Sequence, residues 1–164
     1  FRSRVGYVFQ NADAQLFSST VYEELAFAPL QMGLNREEVA QRVHDIAELL
    51  RLTHLLERAP FQLSGGEKRK VCLGCVLTMN PEVLLLDEPT TGLDPRSQEE
   101  LITLLQQLAL TGKTLVVATH DLSLVGRLAT RCVVMNEQHE VEAVGETKTI
   151  LSNTALLRRV NLIA

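Results

Sequence analysis

Short apolar runs alternate along this chain with longer segments of mixed polarity. Residues 5–9 (Val-Gly-Tyr-Val-Phe) read as a strand, and residues 10–19 are polar and turn-like. Residues 20–28 and 36–51 have helical periodicity, with Val39, Val43, Ile46, Leu49 and Leu50 on one face. Residues 53–58 suggest a short helix, closed by Pro60. Leu63-Ser64-Gly65-Gly66 then precedes a helix running through Met79, which Pro81 stops. Residues 83–86 are wholly apolar and end in Asp87, the pattern of a parallel strand buried on both faces. A helix over 96–109 stops at Gly112. Residues 115–119 form another expected buried strand, ending at His120. A helix over 121–129, a strand over 132–135, a weaker strand over 140–144 and helices over 147–151 and 154–160 complete the reading.

Strands that alternate with helices in the second half predict an α/β fold with a parallel sheet. Residues 12–66 contain helices and no convincing strand. They are expected to form an inserted helical subdomain, with residues 1–11 and 67–164 as the α/β core.

Composition narrows the function classes. The chain has 164 residues, of which 46% are hydrophobic, which excludes a disordered chain. With 16 Lys plus Arg against 20 Asp plus Glu, the net charge is −4. The longest basic run is Lys68-Arg69-Lys70, so a dedicated nucleic-acid partner is not expected. No apolar run approaches the roughly 20 residues of a membrane span, and no signal-peptide pattern opens the chain. The first residue is Phe1, close to strand-like sequence, which suggests a piece of a longer protein. Three cysteines with no regular framework suit a reducing compartment. Cys72 and Cys75 have redox or zinc spacing, but they lie within an apolar helical run and lack a second pair. They are expected to be buried structural thiols.

Candidate chemistry lies where apolar strands end. Asp87 and Glu88 follow a buried strand, which places two carboxylates at the sheet edge where open α/β folds bind ligands. One carboxylate can hold Mg²⁺, an oxygen-seeking ion, and the next can polarise water. Acids also end strands at ordinary surfaces. Ser64 is a good N-cap for the helix that follows, and Gly65 and Gly66 let the backbone approach a ligand. The helix start then favours an anion, although an ordinary Ser-Gly-Gly turn has the same sequence. Asp94-Pro95 marks a turn and a helix start. His120 and Gln10 each stand at a strand tip.

In this order the motifs resemble the nucleotide-binding subunits of ABC transporters. Leu63-Ser64-Gly65-Gly66-Glu67 is similar to the family's signature motif, and residues 83–87 followed by Glu88 to its Walker B strand and catalytic glutamate. Asp94 is similar to the D-loop aspartate, His120 to the switch histidine, and Gln10 to the Q-loop glutamine. A narrower resemblance, to the energy-coupling-factor ATPases that drive cobalt, nickel or vitamin uptake, lies in residues 9–17, 23–29, Lys68-Arg69-Lys70-Val71 and 76–79.

The resemblance implies a P-loop NTPase (RecA-like) fold, ATP as substrate and Mg²⁺ as cofactor. It implies that Asp87 and Gln10 meet the metal, that Glu88 acts as general base, and that His120 contacts the γ-phosphate. Ser64, Gly65, Gly66 and Glu67 would meet ATP held on a second ATPase subunit, identical or not. An integral-membrane transporter subunit would dock on residues 11–17 and the helical subdomain, at the cytoplasmic face of the membrane. Two alternatives are a non-transport ABC ATPase of DNA repair or translation, and an ABC-fold protein that has lost catalysis.

One departure stands out. The family's Walker A loop, Gly-x-x-x-x-Gly-Lys-[Ser/Thr], holds the phosphates. The one Gly-Lys-Thr here, Gly112-Lys113-Thr114, follows a helix and precedes a strand, with Gln107 where the first glycine belongs. It is not expected to be a P-loop, and no aromatic is placed to stack on adenine. The fold is therefore expected to be truncated at its N-terminus, and the isolated chain to be inactive. The strand ending near His120 is then expected not to pair directly with the strand over 132–135.

Overall fold

The computed structural model describes residues 4–163, so residues 1–3 of the expected core segment lie outside the described residues. They fall into two compact units, the first ending at Ala118 and the second starting at Thr119.

The first unit carries a three-stranded parallel sheet, β1 (Val5–Val8), β2 (Val83–Asp87) and β3 (Thr114–Ala118), in the order β1-β2-β3. In register, Tyr7 pairs with Leu85 and Leu85 with Val116, while Val8, Leu86 and Val117 align one step on. Side chains alternate between faces. On one face Gly6, Val8, Leu84 and Leu86 are buried. On the other, Tyr7 is 41% and Val116 52% exposed, and Leu85 is half-buried. This corrects the expected strands buried on both faces: an apolar run specifies a strand without specifying what covers each side.

The first unit also carries four helices: α1 (Val21–Gln31), α2 (Arg36–Leu49), α3 (Gly65–Leu77) and α4 (Pro95–Leu110). Each begins at a polar cap that accepts backbone N–H bonds, namely Thr20, Asn35, Ser64 and Asp94. The caps explain why the helices start where they do, since the first-turn N–H groups have no partner within the helix. Helix α3 is the centre of the unit, in contact with α1, α2 and β1. Two glycines permit this closeness. A Cβ at Gly6 would lie 2.1 Å from Val76 Cγ1, and a Cβ at Gly74 would lie 2.7 Å from Leu25 Cδ2. Cys72 is buried within α3 and Cys75 partly so, and burial pushes the Cys72 thiol up to about 12 and that of Cys75 well above its ordinary value. Both are free, inert thiols.

Residues 12–66 contain α1, α2 and three short 3₁₀ turns, and no strand. The expected boundary between residues 66 and 67 falls inside the first turn of α3, and the segment packs within the first unit. A helix that both caps the signature turn and carries the sheet contact ties the two segments together.

The second unit has α5 (Leu122–Leu128), an antiparallel pair β4 (Arg131–Met135) and β5 (Val141–Glu146), then α6 (Thr147–Ser152) and α7 (Thr154–Arg159). Val134, Ile150, Leu156 and Val160 form its small core. Within this unit β4 pairs antiparallel with β5.

Candidate functional site

Parallel pairing brings the C-terminal ends of β1 and β2 to one edge of the sheet. Asp87 ends β2, and Gln10 lies two residues beyond β1. The Tyr7 hydroxyl donates to Asp87 Oδ2 at 3.1 Å, which, with some burial, raises the Tyr7 pKa from its ordinary value. Glu88 leaves the strand with φ of +43°, in the left-handed region. Its N–H donates to the Ala118 carbonyl at 2.9 Å, so the ladder to β3 extends one residue past the strand. Its carboxylate accepts from Thr91 Oγ1 at 3.1 Å. A left-handed non-glycine residue costs of order 1 kcal/mol or more and persists only where its surroundings enforce it.

A buried arginine supplies part of that enforcement. Arg69, on α3, is 6% exposed. It donates from Nη1 to the Phe9 carbonyl at 2.6 Å and from Nη2 to the Gln10 carbonyl at 2.7 Å, with the Glu88 carbonyl at 3.5 Å. Burial lowers its pKa from the ordinary guanidinium value, and the thiol of Cys72 and the carboxylate of Asp87 oppose that.

The loop after Gln10 is held at both ends. Gln15 Oε1 accepts from the Phe9 N–H at 3.1 Å, and its Nε2 donates to the Cys72 carbonyl at 2.9 Å. Farther along, the buried Glu24 carboxylate accepts from the Phe17 and Ser18 N–H groups. Phe17, 69% exposed, meets Phe27 edge-to-face with ring centres 4.9 Å apart.

The signature segment is built locally. Ser64 Oγ donates to Glu67 Oε2 at 2.7 Å, and the same oxygen accepts from the Ser64 N–H at 2.7 Å. The Glu67 N–H returns to Ser64 Oγ at 3.4 Å, closing a capping box. The Ser64 hydroxyl, and then its N–H, hold the Glu67 carboxyl below its ordinary pKa. Ser64 and Gly65 are exposed, so the positive end of α3 faces solvent. Asp94 caps α4 through the N–H groups of Arg96 and Ser97 at 3.0 and 3.1 Å. The Ser97 hydroxyl, donating to Asp94 Oδ2 at 2.6 Å, is the first cause of the lowered Asp94 pKa. A Cβ at Gly66 would lie 2.9 Å from Ser97 Oγ, so the starts of α3 and α4 touch.

The first unit therefore brings together Gln10, Asp87 and Glu88 as one group and Ser64–Gly65–Gly66–Glu67 with Asp94 as another. His120 follows β3 by two residues in sequence and belongs to the second unit. Gly112-Lys113-Thr114 is a helix-to-strand turn: Gly112 has φ of +88°, and Lys113 Nζ donates to Asn80 Oδ1 and the Pro81 carbonyl at 2.8 and 2.7 Å. Tyr7, Gln15, Glu24 and Arg69 escape sequence reasoning. Arg69 is the middle of the basic run Lys68-Arg69-Lys70, which gives no sign that one of the three turns inward.

Among the described residues, no group of three or more His, Cys, Asp or Glu is arranged to hold a metal by itself. Tyr7 engages Asp87 Oδ2. Asp87 Oδ1 and the Gln10 amide oxygen are hard donors that suit Mg²⁺, an ion that keeps waters and takes its other ligands from phosphate.

With this geometry in view, the comparisons become decisive. A family profile described as "ABC transporter" matches residues 1–91. The chain belongs to the ABC transporter family. Among ABC proteins similar to it, a nickel import ATP-binding protein of Lactiplantibacillus plantarum is 49% identical over 140 residues, covering 85% of this chain and 58% of that protein. The energy-coupling factor transporter ATP-binding protein of Methanothermobacter thermautotrophicus is 42% identical over 161 residues, covering 98% of this chain and 51% of its own. In structure, CbiO1 of Clostridium perfringens, part of the ABC transporter complex CbiONQ, superposes with a TM-score of 0.83 at 36% identity, over 98% of this chain and 64% of that one. The expected P-loop NTPase type of α/β fold is thus that of this ABC chain. The chain spans about half to two thirds of the length of the curated relatives it matches.

Proposed function

We propose that this chain is part of the ATP-hydrolysing subunit of an ABC importer that energises uptake of nickel, cobalt or a vitamin. The observation that carries the reading is the pair Asp87 and Glu88 at the end of the central parallel strand, beside Gln10 and on the same unit as a capped signature turn. The nickel import relative supports a metal cargo.

In this reading the residues divide the work of phosphoryl transfer, which is mostly positioning and charge neutralisation. Asp87, with Gln10, holds Mg²⁺, which when bound neutralises phosphate charge. Glu88 takes the proton of the attacking water, and Thr91 orients its carboxylate. His120 contacts the γ-phosphate. Ser64, Gly65, Gly66 and Glu67 present the exposed helix start to ATP on a second ATPase subunit, and Asp94 lines the same junction. ATP thereby joins the two subunits, and hydrolysis releases them.

Residues 12–66 act as the helical signature subdomain between the core segments 1–11 and 67–164. Their exposed Phe17 and Phe27 receive an integral-membrane subunit. No helix among the described residues is long and apolar enough to cross a membrane. In this reading the chain attaches peripherally at the cytoplasmic face of the membrane, through that subunit.

The test uses the full-length protein with Mg-ATP. Glu88→Gln is expected to lower turnover by about 10²- to 10⁴-fold and to trap an ATP-bound dimer, seen by size-exclusion chromatography. A Glu88→Gln enzyme that turns over at the wild-type rate removes Glu88 from the base role. A wild-type protein that neither binds nor hydrolyses Mg-ATP sinks the reading as a whole.

A further inference from the structure

We infer that Arg69 is a positioning residue for hydrolysis, one that locks the backbone at Gln10 and Glu88 to the helix carrying the signature turn. The inference rests on the reading of this chain as part of an ATPase. Three observations lead to it.

First, the acceptors all belong to the candidate site. The guanidinium bonds the Phe9 and Gln10 carbonyls at 2.6 and 2.7 Å, and the Glu88 carbonyl stands at 3.5 Å. Gln10 and Glu88 are 78 positions apart in sequence, and one side chain spans them. Second, a buried cation is costly. Taking a guanidinium out of water costs several kcal/mol unless it is compensated. Here no carboxylate forms an ion pair with it among the described residues, and backbone carbonyls take its hydrogens instead. For packing alone, a neutral side chain of similar size would serve at lower cost. A planar fork of five donors can hold two or three carbonyls at fixed angles, which neither an apolar chain nor a lysine ammonium reproduces. Third, Glu88 has φ of +43°. A strained residue of this kind needs its neighbours fixed, and Arg69 reaches its carbonyl while the Ala118 carbonyl takes its N–H at 2.9 Å.

Arg69 lies five residues beyond Ser64, on the same helix. A rigid α3 therefore carries any displacement of the signature turn to the strand tips. Water attack at Glu88 and nucleotide contact at Ser64 then become parts of one mechanical body. Misplacement of a catalytic group by about 1 Å can cost on the order of 100-fold in rate.

The experiment uses the full-length protein, with wild type, Arg69→Met and Arg69→Lys compared for kcat, KM for ATP, melting temperature and amide hydrogen exchange at residues 9–11 and 88. In Arg69→Met, kcat should fall by about 10- to 100-fold while KM for ATP stays within about twofold, and exchange should quicken at both segments together. Arg69→Lys should recover the melting temperature more fully than kcat, because the charge returns without the fork. If Arg69→Met does not fold, Arg69→Lys alone decides. A folded lysine variant with wild-type kcat and wild-type exchange overturns the inference. So does a variant whose kcat loss is matched by an equal rise in KM. If the wild type shows no ATPase activity, the functional reading fails, and the exchange data still report whether Arg69 couples the two segments.

Discussion

At the signature turn, the side-chain hydrogen bonds that shape Ser64 all run to and from Glu67, three residues on. At the strand tips, Gln10 and Asp87 are held by groups 59 and 80 residues away, Arg69 and Tyr7. One region of the same unit is a local capping motif that four residues specify. The other exists only when α3 lies on β1 and β1 lies beside β2. Local motifs survive rearrangement of their surroundings, whereas long-range ones report the whole packing. The proposed function gives a reason to use both, a preformed turn that presents amides and a strand edge whose geometry depends on assembly.

The contrast can be broken from the long-range side first. Gly6→Val places a side chain where Val76 already stands, 2.1 Å from the new Cβ, and forces α3 off β1. Overpacking of this kind costs about 1–3 kcal/mol, measurable as a lower urea midpoint. Faster amide exchange at residues 9–11 should accompany it, with little change in the first turn of α3. Equal loosening of both regions would show that the signature turn also depends on distant packing.

Ser64→Ala approaches the comparison from the local side. Loss of the N-cap should cost about 1 kcal/mol, with quicker exchange confined to residues 65–68 and the strand tips unaffected. Ser64→Asp should restore most of it.

Tyr7→Phe removes the hydrogen bond to Asp87 at an exposed position and should lower the urea midpoint only slightly. The Tyr7 phenol titrates above its ordinary value because it donates a hydrogen bond to Asp87. The contribution of that bond is therefore present below the unfolded tyrosine pKa and is lost as pH rises through the raised folded value. Spectrophotometric titration of wild type against Tyr7→Phe checks the direction.

The smallest effect concerns Glu67. Its folded pKa lies below the ordinary 4.5. Its contribution is full above that ordinary value and disappears as pH falls through the lowered one. Glu67→Gln should flatten this acid-side dependence of stability, followed by urea unfolding as pH falls from neutral through the ordinary carboxylate range and below it. A variant with an unchanged acid slope would mean that the capping box carries no charge-dependent stability.

Much of the fold was legible because its signals are local. Ser64 and Asp94 read as helix starts from their residue types, and each proves to be a cap. The run ending at Asp87 proves to be a strand with the expected limits. The burial of β3 was misjudged, since Leu115 and Val117 are half-buried and Val116 lies open. An apolar strand has the same sequence whether one face or both are covered. Tyr7, Gln15, Glu24 and Arg69 were invisible as site residues because their partners are mostly backbone atoms brought near by folding. A carbonyl has no sequence signature.

By itself the sequence determined which segments become strands and helices, where several of them start, and the order of motifs that marks the ABC transporter family. These depend on interactions across three or four positions, where residue type decides the outcome. Only the tertiary structure decided that a buried arginine on the signature helix would hold the carbonyls beside Gln10 and Glu88. It also decided that Gly6 and Gly74 would be the points where α3 meets β1 and α1. Such contacts join residues tens of positions apart, and close packing, not local preference, selects which of them meet.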